Sequence, residues 1–264
     1  MRRFLLIAAK SFLALLSLVG VGLLASAAYF VWYTEYGLGV PTEEQIAAVA
    51  ATGPACTTDW RGTYVPLAKI PALLQKTTIL VGQPDFYERL PNPLIEFGRF
   101  ATLNLIDLHH VQPIWPRPSN ITGSVTSCLM SSLAPNLRGP GLDWHLGNIV
   151  MTNRVARTLS RDRTLEIYLN ETYFGRDSYG VANASMAYFG ESLDRLSIDE
   201  IALLVVLPKM PSVLDRNEER AKERRNYIIE RMLQAGLISE ADAATARDHP
   251  LVFREKGATK PPGQ

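Results

Sequence analysis

Apolar and polar residues follow helical spacing over most of the C-terminal half of this chain. The stretch from Ser160 to Asn170 opens on a capping residue and keeps its apolar side chains on one face, which predicts a helix. Ser197, with Glu200 three residues later, forms a capping box before an apolar run that we expect to end at Pro208. Alternation with a period of two is scarce, so the pattern predicts a mainly α domain.

Further helices are predicted on both sides of these two. Glu218–Ala235 has an apolar stripe and is followed by Gly236, which is typical of a helix C-terminal cap. Ser239 begins a shorter helix, and residues 70–80 have mixed helical spacing. The apolar stripe of the long helix is expected to contain Tyr227, Ile228, Met232 and Leu233.

The N-terminal segment is uncharged from Ser11 to Tyr33, which is about the length that a helix needs to cross a bilayer. Arg2, Arg3 and Lys10 precede it, so the positive-inside rule places the N-terminus in the cytoplasm. The alternative is a cleaved signal peptide, because the sequence at residues 25–27, Ala-Ser-Ala, resembles a peptidase site. The aromatic residues that crowd the far end of the segment favour an uncleaved anchor.

Composition shifts suggest four parts. We expect a cytoplasmic N-terminus and transmembrane anchor over residues 1–36, and a linker that leads into the domain over residues 37–62. The globular domain is expected over residues 63–250, and a flexible tail over residues 251–264.

The formal net charge of +1 and the absence of a long basic run argue against a nucleic-acid partner. Cys56 and Cys128 are the two cysteines of the chain. Outside the cytoplasm they can pair, and we expect a disulfide, although two buried thiols remain the alternative. The pair His109-His110 has no set of ligands at metal-binding spacing nearby, so no metal site is predicted.

The densest sequence signal lies between residues 160 and 190. It includes Tyr168-Leu169-Asn170-Glu171-Thr172-Tyr173-Phe174-Gly175, then Ser178-Tyr179-Gly180-Val181 and Ala187-Tyr188-Phe189-Gly190. These runs resemble the scaffold of the peptidoglycan glycosyltransferases of family 51, which occur alone or within bifunctional penicillin-binding proteins. The resemblance covers residues 64–248. It implies a mainly helical, lysozyme-like domain with a groove between a large lobe and a membrane-proximal jaw.

The positions that carry chemistry in that family are changed here. Aligned on the first motif, the general base falls on Gly82 and the acid after it on Gln83. Glycine cannot accept a proton, and a general base contributes roughly 10²–10⁴-fold to a rate. Asp85 and Glu88 are weak substitutes because they lie several residues further on.

The second and third motifs are degraded in the same way. The two glutamines and the lysine of the second motif are absent, with Ser131 at the lysine position, while the hydroxyls of Ser124 and Thr126 remain as helix caps or groove-facing groups. In the third motif, Trp144 and His145 replace the cations that hold the pyrophosphate leaving group. Asn148 replaces the second acid.

Two functional hypotheses follow from the resemblance. The favoured one is a membrane-anchored, catalytically impaired relative that binds a glycan strand, lipid II or a cell-wall synthesis protein. No catalytic residue is assigned, and the candidate substrate-binding residues are Ser124, Thr126, Trp144 and His145. The alternative is an active glycosyltransferase that polymerises lipid II with relocated acids; only then is a divalent metal implied. In both cases we expect a single-pass protein of the bacterial inner membrane with an extracytoplasmic domain.

Overall fold

The computed structural model describes residues 2–56, 62–88, 120–137 and 141–254. These residues are mainly helical, as predicted, and their one sheet is a two-stranded hairpin. Residues 89–119, which include His109 and His110, and the end of the predicted tail lie outside the described residues. The helices are α1 (Arg2–Trp32), α2 (Glu43–Val49), α3 (Ala72–Gly82), α4 (Ile121–Leu133), α5 (Leu142–Thr158), α6 (Arg161–Glu171), α7 (Val181–Tyr188), α8 (Ile198–Leu204), α9 (Pro211–Leu214), α10 (Glu218–Gln234) and α11 (Glu240–Asp248).

The N-terminal helix is long and apolar enough to cross a membrane. Its candidate span runs from Leu13 to Gly37, has a mean hydropathy of 2.1, and ends in a π-helical turn over Tyr33–Gly37. From Leu13 to Trp32 the large apolar side chains whose burial is described are exposed, whereas Tyr33, near the end of the span, packs against the domain. Such a surface is favourable only where another apolar medium covers it.

The segment after the span packs against the domain. Helix α2 begins with a capping box between Thr42 and Gln45. Leu38, Val40 and Ile46 are buried in a hydrophobic cluster with residues of α4 and α5. The stretch expected as a linker therefore contributes to the core as far as residue 56, where the described part ends.

Helix α6 lies between two hydrophobic clusters. The larger one joins α3, α6, α7, α8 and α10, and the smaller one joins residues 38–56 with α4 and α5. Leu165 and Leu169 enter the larger cluster, Ile167 enters the smaller one, and Tyr168 packs against both. This helix also carries the sequence signal that resembles family 51. Its apolar residues form part of the scaffold because they pack into both clusters.

Most of the predicted helix boundaries are confirmed. The side chain of Ser160 caps α6, the Ser197–Glu200 capping box opens α8, and Gly236 follows α10 with a φ of +66°. The helix expected to reach Pro208 instead ends at Leu204, and a 3₁₀ turn over Leu207–Lys209 contains the proline.

A short hairpin follows α6. Strand β1 (Tyr173–Gly175) pairs antiparallel with β2 (Ser178–Tyr179), and the two turn residues between them have positive φ. Gly180, just after β2, has a φ of +83°, and a Cβ there would collide with the carbonyl oxygen of Asn170. The glycine of this motif is therefore needed for the close approach of the hairpin to α6.

Candidate functional site

A cavity of about 200 Å³ opens between α4 and α6. Ser124 and Cys128 are four residues apart and line it from one face of α4. Tyr168, Glu171 and other residues at the C-terminal end of α6 line the opposite side, together with Tyr173 of the hairpin. The cavity thus combines a hydroxyl, a carboxylate and aromatic rings.

Cys128 is joined to Cys56 by a disulfide, with 5.4 Å between their Cα atoms, so the predicted pairing is confirmed. Beside it, the carboxylate of Glu171 accepts hydrogen bonds from the backbone N–H groups of Ala55 (2.6 Å) and Cys56 (2.7 Å). The two sulfurs and this carboxylate lie within 4.8 Å of one another. Metal ions bind cysteine as the thiolate, and the two sulfurs of a disulfide provide no thiolate.

The mouth of the cavity is aromatic. Tyr173 pairs across the hairpin with Tyr179, and their ring centroids lie 5.1 Å apart. The two side chains are 39% and 49% exposed, so this pair presents a ring surface to solvent. Inside, burial raises the pKa of Tyr168 to about 12, which keeps its phenol protonated and able to donate a hydrogen bond near neutral pH.

The positions expected to carry acids in the first motif serve packing instead. Gly82 ends α3, and a Cβ there would stand 3.1 Å from Cγ1 of the fully buried Ile121. The side-chain oxygen of Gln83 accepts from the hydroxyl of Thr122 at 3.1 Å and lies 3.3 Å from its backbone nitrogen. Both residues therefore join the end of α3 to the beginning of α4.

Asp85 and Glu88, the weak substitutes for the missing acids, lie near the N-terminal end of α6. The guanidinium carbon of Arg161 lies 5.5 Å from the centroid of the Phe86 ring, so the residue after Asp85 lies beside the first residue of α6. Burial lowers the pKa of Arg161, and the negative charge of Asp85 acts in the opposite direction. Tyr87, next to the exposed Glu88, donates a hydrogen bond from its hydroxyl to Asp162 at 2.8 Å. Arg161 and Glu171 are the first and last residues of α6, and ten residue steps along a helix span roughly 15 Å.

The residues of the third motif lie on α5. The amide nitrogen of Asn148 donates to the carbonyl oxygen of Trp144 at 3.0 Å, one turn earlier in the same helix. Trp144 lines a second cavity of about 330 Å³, together with Leu142 and Asp143. His145 is buried, and its ring is in edge contact with that of Trp144.

The predicted substrate-binding residues are not brought together in one place. Ser124 lines the cavity between α4 and α6, whereas Trp144 lines the second cavity. Thr126 is fully buried, and its hydroxyl has no hydrogen-bond partner among the described residues. Neither hydroxyl residue caps α4, because Asn120 does so by accepting from the N–H of Gly123.

The polar face of α6 anchors the chain that enters the domain, which sequence reasoning missed. Arg163 donates to the carbonyl oxygens of Ala50 (2.8 Å) and Gly53 (2.5 Å). Glu166 accepts from the N–H of Leu67 (2.7 Å) and the hydroxyl of Tyr64 (2.9 Å). Such long-range contacts have no periodic sequence signal.

Glu166 also has a perturbed acidity. Burial acts to raise its pKa, but the hydrogen bonds from Leu67, Tyr64 and Arg163 outweigh burial, and the pKa lies below the ordinary value for glutamate. Asn170, one turn later, donates to and accepts from the backbone of Val65, which confirms the structural role expected for it.

These observations define a mainly helical domain behind an apolar N-terminal helix, with a cavity built on the helix that carries the sequence signal. The family model described as Transglycosylase matches residues 51–233. The chain therefore belongs to the transglycosylase family, and the predicted resemblance is confirmed.

Two relatives agree with this assignment. Penicillin-binding protein 1A of Rickettsia bellii is 32% identical over 260 residues, which cover 92% of this chain and 31% of the relative. A putative transglycosylase of Cupriavidus necator is 33% identical over 193 residues, covering 72% and 79%. The chain thus spans about a third of the length of the penicillin-binding relative. A crystal structure of penicillin-binding protein 1A from Haemophilus influenzae matches at 41% identity and a TM-score of 0.33, over 34% of this chain and 14% of that one.

Proposed function

We propose that this protein is a membrane-anchored, catalytically impaired member of the transglycosylase family that binds cell-wall glycan in the cavity between α4 and α6. The observation that carries the proposal is that packing and local hydrogen bonds occupy the positions where acids are expected. Gly82 lies against Ile121, and Gln83 contacts the first turn of α4. Asn148 donates to its own helix.

Glycosyl transfer to a sugar hydroxyl needs a base for that hydroxyl and positive charge for a pyrophosphate leaving group. Trp144 and His145 stand where the resemblance implies the cations. An indole carries no charge, and an imidazole lacks the permanent charge of a guanidinium. Losing one such stabilising group costs roughly 2.7–4 kcal/mol of the activation free energy.

Relocation of the base to Asp85 or Glu88 has little geometric support. Phe86 lies against the guanidinium of Arg161, and Tyr87 donates a hydrogen bond to Asp162, so the stretch that contains Asp85 and Glu88 adjoins the first turn of α6. The cavity lies at the last turn of the same helix, roughly 15 Å away. Among the described residues that line the cavity, Glu171 is the one carboxylate, and it is already engaged by two backbone N–H groups.

The cavity retains groups that suit a sugar. A pyranose presents an apolar C–H face and a rim of hydroxyls, which match the exposed ring of Tyr173 and the polar groups of Ser124 and Tyr168. The disulfide and the basic residues before the span support an extracytoplasmic location of this cavity, where glycan strands occur. A reporter fused after Gln264 should be active only outside the cytoplasm; activity inside would refute this orientation.

Glycan binding can be tested with full-length protein in nanodiscs and defined, soluble glycan strands as the probe. Tyr173→Ala should weaken binding by about tenfold, because it removes the ring at the mouth of the cavity. Tyr227→Ala is the matched control, since Tyr227 is also exposed but lies on α10. Equal affinity of the wild type and Tyr173→Ala would contradict the proposed site, and binding of lipid II or of a cell-wall protein alone would replace glycan as its ligand.

A further inference from the structure

Two sulfurs and a carboxylate meet at the wall of the cavity between α4 and α6. Sγ of Cys56, Sγ of Cys128 and a carboxylate oxygen of Glu171 all lie within 4.8 Å of one another. Ligand atoms around a tetrahedral Zn²⁺ ion lie about 3.5–3.8 Å apart, because Zn–S bonds are about 2.3 Å long and Zn–O bonds about 2.0–2.2 Å. The Cα atoms of the two cysteines are 5.4 Å apart, which leaves room for that separation once the bond between the sulfurs is opened.

The carboxylate of Glu171 is held in place beside the sulfurs. Its two oxygens accept hydrogen bonds from the N–H groups of Ala55 at 2.6 Å and Cys56 at 2.7 Å, and the residue is buried. A carboxylate accepts at about four lone-pair sites, of which these two bonds occupy two. Hydrogen bonds of this kind orient the carboxylates that bind metals in proteins. Glu171 is therefore oriented in advance as a ligand.

The two cysteines should stay close to each other when their bond is reduced. Arg163 donates to two carbonyl oxygens of the chain just before Cys56, at 2.8 and 2.5 Å. Cys128 lies on α4, where Val125 and Leu129 are buried in the smaller hydrophobic cluster. Since neither anchor involves the disulfide, reduction would leave two thiols next to the carboxylate.

We propose that reduction of the disulfide between Cys56 and Cys128 creates a Zn²⁺ site, with the two thiolates and Glu171 as its protein ligands. A dithiol supplies the reduction: it transfers two electrons and two protons to the disulfide and itself becomes a disulfide. Zn²⁺ then binds both sulfurs as thiolates and releases the two protons. The site requires neither glycan binding nor the loss of catalysis.

The cavity gives this site access and a fourth coordination position. Cys128 and Glu171 both line it, so a small dithiol, the ion and water can reach them. Ser124 lines the same cavity one turn before Cys128, and its hydroxyl is placed to hydrogen-bond a water on the ion. Three protein ligands and one open position are the arrangement of zinc sites that bind an exchangeable water.

The ligand set favours Zn²⁺ over other ions. Ca²⁺ and Mg²⁺ require oxygen ligands, whereas thiolates select Zn²⁺ or Cu⁺. Cu⁺ prefers sulfur alone, so the carboxylate of Glu171 distinguishes the two ions. Two thiolates beside a carboxylate also repel one another, and a divalent cation between them removes most of that cost.

Co²⁺ titration of full-length protein in nanodiscs tests the site, because Co²⁺ replaces Zn²⁺ in tetrahedral sites and its thiolate complexes absorb light. The protein is reduced with a phosphine and kept free of oxygen. We expect a thiolate-to-cobalt charge-transfer band that saturates at one ion per chain, disappears when Zn²⁺ is added, and is absent from the oxidised protein. Affinity for Zn²⁺ should rise with pH, because each ion displaces two protons.

Three variants assign the ligands. Cys128→Ser should weaken the charge-transfer band and the affinity together, because one thiolate is lost. Glu171→Gln should weaken Zn²⁺ binding by at least about tenfold, the loss typical of changes close to a metal. Glu240→Gln is the matched control, since Glu240 is an exposed carboxylate in the first turn of α11, and it should bind Zn²⁺ like the wild type.

X-ray absorption of the Zn²⁺ complex decides the ligand set without a variant, should Glu171→Gln not fold. The ion in the reduced wild type should have two sulfur and two oxygen neighbours. No charge-transfer band from the reduced wild type would overturn the proposal. One ion shared by two chains, or an ion with sulfur neighbours alone, would overturn it as well.

Discussion

Replacing both cysteines by alanine should lower the free energy of unfolding by about 4 kcal/mol. The disulfide joins residues separated by 72 positions. In the chain-entropy model, a loop of that length removes about 15 cal/mol/K from the unfolded ensemble, which is about 4 kcal/mol at 25 °C. This is a large share of the 5–15 kcal/mol that typical domains possess.

The folded state should change little when this bond is lost. Glu171 still holds the N–H groups of Ala55 and Cys56, and Arg163 still holds the carbonyl oxygens of Ala50 and Gly53. The loss of stability should therefore come mainly from a more expanded unfolded chain. That expansion should also raise the m-value, because more surface is exposed on unfolding.

Urea unfolding of full-length protein in a mild detergent, followed by tryptophan fluorescence, measures both quantities. Cys56→Ala and Cys128→Ala alone should each cost about as much as the double variant, because each breaks the same bond. Reduced wild type should match them. A loss below about 1 kcal/mol, or two free thiols in non-reduced peptides from the native compartment, would refute the reasoning.

Three further changes test other parts of the fold by urea unfolding. Glu166→Gln should cost about 1 kcal/mol at pH 7 through weaker hydrogen bonds. The folded pKa of Glu166 lies below its unfolded value, so its contribution to stability is present above the unfolded pKa and is lost as the pH falls through the folded pKa. The difference in unfolding free energy between Glu166→Gln and the wild type should therefore disappear in acid. Gly180→Ala should cost about 1–3 kcal/mol, since its φ is positive and its Cβ would meet the carbonyl oxygen of Asn170. Arg225→Met should cost about 3–5 kcal/mol, because it removes a fully buried cation that lies 3.9 Å from the carboxylate of Asp199.

Each of these changes has an outcome that would contradict its reason. If the free energies of unfolding of Glu166→Gln and the wild type differed by the same amount down to low pH, the charge of Glu166 would not stabilise the fold. Gly180→Ala with unchanged stability would mean that the hairpin can shift away from α6. If Arg225→Met matched the wild type, the hydrogen bonds from Arg225 to the carbonyl oxygens of Arg247 and His249 would be dispensable.

The sequence predicted elements whose signals are local. The caps at Ser160 and Ser197 and the glycine at position 236 are read from single residues and their near neighbours, and the structure has all three. The predicted apolar stripe of α10 is partly wrong. Tyr227 is 54% exposed, whereas Arg225 is fully buried by contacts that include Asp199 and the carbonyl oxygen of His249. Burial of an arginine depends on partners far along the chain, which a periodic pattern does not contain.

The candidate site was predictable only in part, because the sequence indicates motif positions but not the long-range contacts of the residues at them. Alignment of the motifs indicated Gly82 and Asn148 as positions where acids are expected, but it could not indicate what those residues contact. Ser124 was identified because it lies in a recognisable motif. The cavity around it depends on Glu171 and Tyr173, for which the motif predicts only a scaffold role, and on a disulfide whose geometry requires the folded chain.

The central claim is that the residues at positions 82, 83 and 148, which packing and local hydrogen bonds occupy, leave no working catalytic site. The most direct measurement is polymerisation of lipid II by purified full-length protein, with and without divalent metal. We expect no glycan strands from the wild type, from Gly82→Glu, or from Gly82→Glu combined with Asn148→Glu, because the cations for the leaving group are still absent and the glutamate at position 82 would meet Ile121. Glycan strands from the wild type that disappear in Asp85→Ala or Glu88→Ala would contradict the claim and show that the base has moved.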